Sequence, residues 1–218
     1  MPESAQLVLR VARTKEKCSV LGPGVRAVIW FHGCSLNCPG CIAHEMNISK
    51  SYTPYSPDEL VAWVRSIDGI EGITLSGGDP FDQPKLAILE FLKIVKRETT
   101  LGVMCYTGRT LGDLLSREDN QINREILGLI DILVDGPYEQ LKNEGHQWRG
   151  SSNQVIHFLT NRYAHHQTEV VKSKRREIEI DLNLENRLAI SGIPEVGFLK
   201  RLRTQLESRG VEFQLEAD

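Results

Sequence analysis

Apolar residues fall along this chain in short bursts, and two periods alternate between them. Ala27-Val28-Ile29-Trp30-Phe31 is a continuous apolar run, the pattern of a strand buried on both faces. Similar runs at Ile73 to Ser76, Leu101 to Tyr106, Ile130 to Val134 and Val155 to Phe158 predict four more strands. Leu7 to Val11 alternates weakly and predicts an edge strand or hairpin partner. Helical spacing lies between these runs. Ser56-Pro57-Asp58-Glu59 reads as a cap, a proline at the first helical position and a capping box. The helix it opens carries Leu60, Val61, Trp63 and Val64 and ends near Gly69. Asp82 and Pro84 open a second helix with Leu86, Leu89, Leu92 and Val95 on one face. Helical patterns recur over Leu111 to Leu115 and Ile122 to Leu127.

Strand and helix in alternation predict an α/β fold with a parallel sheet and right-handed crossovers, curling into a barrel or part of one. We expect one domain over residues 1–218, with its core at about 20–158 and an extension at about 165–218. In the extension, Glu177 to Asn183 and Arg187 to Ser191 alternate around Leu184-Glu185-Asn186, which predicts a hairpin. Pro194 to Ser208 predicts a helix with Phe198, Leu199, Leu202 and Leu206 facing inward. Val211 to Leu215 predicts a last strand.

With 218 residues, 40% of them apolar, the chain is long enough for a sizeable core. Its net charge of −3 gives no general pull toward nucleic acid or anionic membrane. No apolar run is long enough to span a bilayer and no signal-peptide pattern is present, so the expected location is the cytoplasm. The basic cluster Lys172, Lys174, Arg175 and Arg176 reads as a solvated loop, with docking of an acidic partner as the other reading. Five cysteines with three of them close together read as metal ligands rather than a disulfide framework. Cys105 falls in an apolar run and reads as core. Cys18 reads as a loop thiol.

The clustered cysteines lie in Cys34-Ser35-Leu36-Asn37-Cys38-Pro39-Gly40-Cys41, a C-x3-C-x2-C spacing just beyond the first apolar run. Thiolates this close can wrap one soft metal centre, either zinc or an iron–sulfur cluster. His44 would complete a closed Cys3His zinc site. A four-iron cubane held by three cysteines would instead keep one iron open for chemistry. Topology favours a shared site. The cysteine loop, Gly77-Gly78-Asp79-Pro80, Tyr106-Thr107-Gly108 and Asp135-Gly136-Pro137 each follow a predicted strand, and the C-terminal ends of parallel strands are where such sites gather.

Gly22-Pro23-Gly24-Val25-Arg26, Phe31-His32-Gly33-Cys34 and the three-cysteine loop resemble the radical S-adenosylmethionine (SAM) superfamily. Within it, the chain is most similar to the activating enzymes of glycyl radical enzymes, and among these to activases of anaerobic ribonucleotide reductase. The residue before the last cysteine is often aromatic in the superfamily and is Gly40 here; Cys-Pro-Gly-Cys is the form the reductase activases use. The resemblance covers roughly residues 20–157. It implies a partial (β/α) barrel of the radical SAM type, open on one side, with the hairpin, helix and strand appended.

It also implies a [4Fe-4S] cluster on Cys34, Cys38 and Cys41, with SAM bound at the open iron. An electron from the reduced cluster cleaves a sulfonium C–S bond, and the 5′-deoxyadenosyl radical removes a hydrogen atom from the substrate. Ser76-Gly77-Gly78-Asp79-Pro80 resembles the loop that meets the SAM amine, since glycine lets backbone carbonyls come close; a tight turn with Asp79 as a helix cap is the plainer reading. Arg149-Gly150-Ser151-Ser152-Asn153-Gln154 also matches the reductase activases. Its Ser151, Ser152 and Asn153 would hold SAM, and Arg149 would pair with the SAM carboxylate or the partner. Asp135 would hold ribose hydroxyls or serve only as a strand-end turn residue. Tyr106 and Thr107 would line the adenosine pocket, though Tyr106 suits core packing equally. His32 would tune the cluster by donating to a sulfur, Trp148 would anchor a partner, and Trp30 and Trp63 read as core.

The implied activity is glycyl radical formation on a large partner enzyme, the anaerobic ribonucleotide reductase, with flavodoxin or ferredoxin as electron donor. A radical SAM enzyme acting on a small molecule or peptide, and a non-catalytic zinc protein, are the readings to be separated from it.

Overall fold

The computed structural model describes residues 7–44, 46, 51–116, 118, 120–182 and 188–211. Its strands are β1 (Leu9–Cys18), β2 (Arg26–Phe31), β3 (Thr53–Tyr55), β4 (Gly72–Gly77), β5 (Gly102–Tyr106), β6 (Ile132–Asp135), β7 (Val155–Phe158), β8 (Ile178–Leu182) and β9 (Leu188–Gly192). The helices among the described residues are α1 (Pro57–Arg65), α2 (Lys85–Glu98), α3 (Leu111–Ser116), α4 (Asn120–Leu127), α5 (Gln167–Lys172) and α6 (Phe198–Glu207).

Seven strands form one sheet in the order β3-β1-β2-β4-β5-β6-β7, with β3 and β7 as its edges. The strands β2, β4, β5 and β6 run parallel to one another, while β1, β3 and β7 are antiparallel additions. The expectation of a parallel fifth strand fails at β7. A parallel return needs a crossover, usually a helix, and residues 136–154 between β6 and β7 hold only the short 3₁₀ turn Gln140–Lys142. The chain therefore turns back beside β6. The strand expected at Leu7 to Val11 is a hairpin partner of β2, as one reading had it, but it continues to Cys18.

Alternation along the strands sorts the side chains onto two faces. Ala27, Ile29, Phe31, Ile73, Leu75, Val103, Cys105 and Leu133 join α1, α2 and α4 in the main core. The other face presents Met104, Ile132 and Val134 to Trp148, Ile156, Tyr163 and Val170. Further along that face, Val28 and Trp30 meet Cys18, Leu21 and Ile193. Cys18 is thus a buried thiol, 1% exposed, whose pKa burial pushes up to about 11, and not a loop residue. Trp148 is core as well, which removes it as an exposed anchor.

At the N-terminal end of the strands the Arg26 side chain is fully buried, with no carboxylate partner among the described residues. Its guanidinium donates to Thr74 Oγ1 (2.8 Å), the carbonyls of Ile73 (2.6 Å), Gly102 (3.0 Å) and Pro23 (3.1 Å), and Tyr163 Oη (3.2 Å). Glycine is required beside it, because a Cβ on Gly102 would lie 2.0 Å from Tyr163 Oη.

The capping box at Ser56 forms as expected. On α2 the inward face is Ala87, Ile88, Leu89, Phe91, Leu92, Ile94 and Val95, whereas Leu86 is 63% exposed. The amphipathic stripe is centred about one residue away from the one the leucines alone suggest. In the extension β8 pairs antiparallel with β9. The hairpin is held to β1 by Lys15 Nζ at 2.8 Å from Glu179 Oε2, by Lys15 to Asp181, and by Ser19 N to Glu179 Oε1 at 2.8 Å. The expected inward face of α6 is not buried, and Leu199 is 44% exposed. The residues expected at the hairpin turn, Leu184-Glu185-Asn186, and most of the expected last strand lie outside the described residues.

Candidate functional site

Three loops meet at the C-terminal ends of adjacent parallel strands. The first leaves β2 through Gly33 at φ +89°, then turns back at Asn37 and Gly40 with φ of +46° and +72°. These left-handed residues let the loop coil tightly. Cys41 N donates to Cys38 O (3.2 Å) and His44 N to Cys41 O (3.2 Å), so the thiols sit on successive turns. Cys34, Cys38 and Cys41 are each partly buried. Burial pushes the Cys34 and Cys41 thiols up. Backbone N–H groups of Leu36 and Asn37 at Cys34, and of Ala43 at Cys41, work in the opposite direction.

The second loop, after β4, is fastened directly to the first. Gly78 N donates to Phe31 O (2.7 Å) and Asp79 N to Gly33 O (3.1 Å). A Cβ on Gly78 would come within 2.2 Å of Gly33 O, and one on Gly77 within 2.7 Å of Phe31 N. Two glycines are what this contact permits. Asp79 is 3% exposed, and its carboxylate accepts from Phe81 N (2.9 Å), Thr107 Oγ1 (3.0 Å) and Gly108 N (3.1 Å). It both caps a short 3₁₀ turn and ties the second loop to the third. Burial raises its pKa, against those donors.

A clasp that sequence reasoning missed binds all three loops. Asp82 accepts from Ser35 N (2.7 Å) and is paired with Arg109, whose guanidinium also donates to Ser35 Oγ (2.8 Å). Burial alone would raise the Asp82 pKa, but Ser35 N–H and the Arg109 guanidinium bring it below the ordinary range. Gln83 extends the clasp by donating to His32 O (2.9 Å) and accepting from Arg10 N (2.9 Å). In sequence Asp82 reads as a helix opener. Only the fold brings it into contact with Arg109, 27 positions later in the chain. The His32 ring lies 5.2 Å from that of Tyr52.

Tyr106 faces the side of the sheet away from α1 and α2, near Trp30 and Met46. Its hydroxyl is buried without a hydrogen-bond partner among the described residues, and burial raises its pKa strongly.

The remaining expected site residues form a second group. Asp135 is on the helix-bearing side and accepts from Leu111 N (2.6 Å) at the start of α3. Ser151 Oγ accepts from Glu139 N (3.1 Å), Ser152 Oγ donates to Glu144 Oε1 (3.1 Å), and Asn153 Nδ2 donates to Pro137 O (2.8 Å). These bonds fold the 138–153 loop onto itself. Arg149 likewise donates to the carbonyls of Gln154 (2.8 Å) and Val171 (3.3 Å). Asp135 and Asn153 line an open cleft of about 630 Å³. Gln140 connects the two groups, because its side chain occupies the place where a Cβ on Gly40 would be, 2.7 Å from Oε1.

Residues 20–157 match the family described as "4Fe-4S single cluster domain". The anaerobic ribonucleoside-triphosphate reductase-activating protein of Vibrio cholerae is 35% identical over 148 residues, which are 65% of this chain and 92% of that protein. The chain belongs to this activating-protein family. The relative of the same name from Escherichia coli K12 is 33% identical over 147 residues, 64% of this chain and 92% of that protein. One from enterobacteria phage T4 is 31% identical over 142 residues, 63% and 86% of the two chains. The structure of QueE from Escherichia coli matches at TM-score 0.38 and 12% identity, over 48% of this chain and 54% of that one, too distant to bear on the fold.

Activating-protein membership makes the cysteine loop the place to test for a cluster. Its donor set fits one: thiols only, with backbone N–H groups turned toward two of the sulfurs. Among the described residues no three cysteine, histidine or carboxylate side chains are grouped so that they could hold a metal ion. His44 is exposed. No helix among the described residues is long and apolar enough to cross a membrane.

Proposed function

We propose that this chain is a radical SAM activase, one domain, that installs a glycyl radical on anaerobic ribonucleoside-triphosphate reductase in the cytoplasm. Cys34, Cys38 and Cys41 hold a [4Fe-4S] cluster. Such a cluster, when bound and reduced, supplies the electron that cleaves SAM and so yields the radical that removes a hydrogen atom from the partner's glycine. The protein's part is to bind, orient and exclude water. Gly77 and Gly78 bring bare backbone up to the cysteine loop, where the methionine end of SAM is held. Asp79 keeps that backbone in place rather than contacting SAM itself. Tyr106 supplies an unspent hydroxyl on the side that takes the adenosine. The sheet curls as part of a barrel and stays open beyond β7, as a protein substrate requires. Flavodoxin or ferredoxin delivers the electron.

One observation carries the reading. The cysteine loop and the Gly-Gly-Asp loop are hydrogen-bonded backbone to backbone at the ends of neighbouring parallel strands, through Gly78 N to Phe31 O and Asp79 N to Gly33 O. A zinc-binding loop has no need of that second loop. The test is anaerobic reconstitution with iron and sulfide, reduction, and incubation with SAM and the purified reductase. We expect about four irons per chain, 5′-deoxyadenosine, and a glycyl radical doublet by electron paramagnetic resonance. SAM cleavage with no protein radical would move the substrate elsewhere, and a colourless, zinc-loaded protein would end the proposal.

A further inference from the structure

The open cleft beside β6 and β7 is not used by the chemistry above. It is lined by the apolar side chains of Leu111, Leu115, Pro137 and Val155, with Asp135, Glu139, Asn153 and His157 among them. Its acceptors are under-used. Asp135 is 5% exposed, and only its Oδ2 accepts a hydrogen bond among the described residues, from Leu111 N. His157 Nε2 lies 3.0 Å from the same oxygen, an ion-pair distance when the ring is protonated. Asn153 Oδ1 is buried with no donor among the described residues, although its Nδ2 is bonded. Among the described residues two carboxylates line the cleft and no lysine or arginine does. Lys142, which pairs with Glu139 at 2.8 Å, is not part of the lining.

We propose that this cleft receives a lysine or arginine side chain of the partner reductase. A long basic side chain has an apolar stem for Leu111, Leu115 and Val155, and a head that donates several hydrogen bonds to Asp135 and Asn153. Among the described residues that line the cleft His157 is the basic one, so a permanently charged lysine or arginine head would be the partner's. Access is open. β7 is an edge of the sheet and Val155 is 49% exposed. The place also suits a partner whose glycine must reach the cysteine loop. Glu139 lines the cleft, and its neighbour Gln140 packs against Gly40. Docking here would hold the partner within a few residues of Cys38 and Cys41.

This inference rests on the reading that the reductase is the partner, so the test has two arms. In the first, Val155→Lys places an ammonium in the cleft and Val155→Thr serves as the neutral control. Anaerobic calorimetry with the reductase is expected to show Val155→Lys binding at least ~10-fold more weakly, the loss of one good charged contact, and Val155→Thr unchanged. Both variants should keep wild-type iron content and partner-free SAM cleavage. In the second arm, N-acetyl-argininamide is titrated into the wild-type protein while the His157 ring is followed by nuclear magnetic resonance. A His157 shift that Val155→Lys abolishes is expected. Unchanged reductase affinity in Val155→Lys overturns the proposal, as does loss of partner-free SAM cleavage, which would make the cleft a nucleoside site. If the reductase fails to bind wild type while His157 still responds to the probe, the partner assignment falls and the basic-side-chain site stands. If neither binds, both fall.

Discussion

Replacing Gly78 by alanine adds one methyl at the closest backbone approach in the site. The new Cβ would lie 2.2 Å from Gly33 O, 2.7 Å from Gly33 C and 2.9 Å from Gly33 N. Ordinary contact needs about 3.5 Å, so the loops must part by roughly 1 Å. Overpacking of this kind costs about 1–3 kcal/mol. The separation also strains the two backbone hydrogen bonds from Gly78 and Asp79, worth about 1 kcal/mol each. A total of about 3 kcal/mol is expected, which in a chain of this size lowers Tm by about 6–12 °C. Gly108→Ala is the matched control. Its Cβ would meet Leu36 Cδ1 at 2.4 Å and nothing else closer than 3.7 Å. A leucine methyl can swing aside, so the cost there is below about 1 kcal/mol. Circular dichroism melts of the metal-free variants separate the two. The rate of SAM cleavage by the reconstituted protein should fall about 100-fold for Gly78→Ala, since ~1 Å misplacement has that effect on a positioned site. Equal melting of Gly78→Ala and wild type, or a greater loss in Gly108→Ala, refutes the steric reasoning.

Three further outcomes are expected. Serine at Cys34, Cys38 or Cys41 should each reduce bound iron after reconstitution to a small fraction of wild type while leaving the melt of the metal-free protein within about 1 kcal/mol, because all three thiols are only partly buried; retained iron in any one would remove that cysteine from the ligand set. Asp131 is nearly buried and accepts from Lys96 (2.7 Å), Val103 N (2.8 Å) and Thr160 (2.7 Å). Burial opposes its ionisation, but these donors prevail and lower its pKa. Its stabilisation is therefore present above the ordinary aspartate value of about 3.9 and is lost as pH falls through the lower folded value. Asp131→Asn should cost about 2 kcal/mol at pH 7 and flatten the acid limb of urea-melt stability against pH, whereas an unchanged acid limb would assign that limb to other carboxylates. Ser56→Ala should cost about 1 kcal/mol by loss of the α1 cap, read by the same urea melts; no change would mean that packing of α1 alone holds it.

The pattern of apolar residues predicted the parallel core because β2, β4, β5 and β6 are buried on both sides and each declares itself as a continuous run. It failed where tertiary context decides. The direction of β7 depends on what lies in the preceding loop, not on Val155 to Phe158. The length of β1 was hidden because Arg13, Thr14 and Lys15 bring polar residues into a strand that the hairpin of the extension covers. In the site, the glycines were legible because close backbone approach demands that residue type. Asp82, Ser35 and Arg109 carry no such demand, and their roles follow only from three loops meeting. Ser151, Ser152 and Arg149 make bonds within their own loop and to neighbouring backbone, which the run of polar residues alone did not reveal.

The family match ends at residue 157, yet the residues that close one face of the sheet come after it. Tyr163 and Val170 pack on Met104, Ile132 and Val134, and Ile193 packs beside Trp30. Tyr163 also completes the hydrogen bonding of Arg26, and Gly102 is bare to admit its ring. The extension is therefore part of the core that positions the parallel strands, rather than an appendage to a finished domain. It does this on the side away from the cleft formed by Asp135, Val155 and His157. One face of the sheet is filled from within the chain. The edge at β7 and the cleft beside it are left for something that arrives from outside, and that asymmetry is what an activase for a large protein substrate needs.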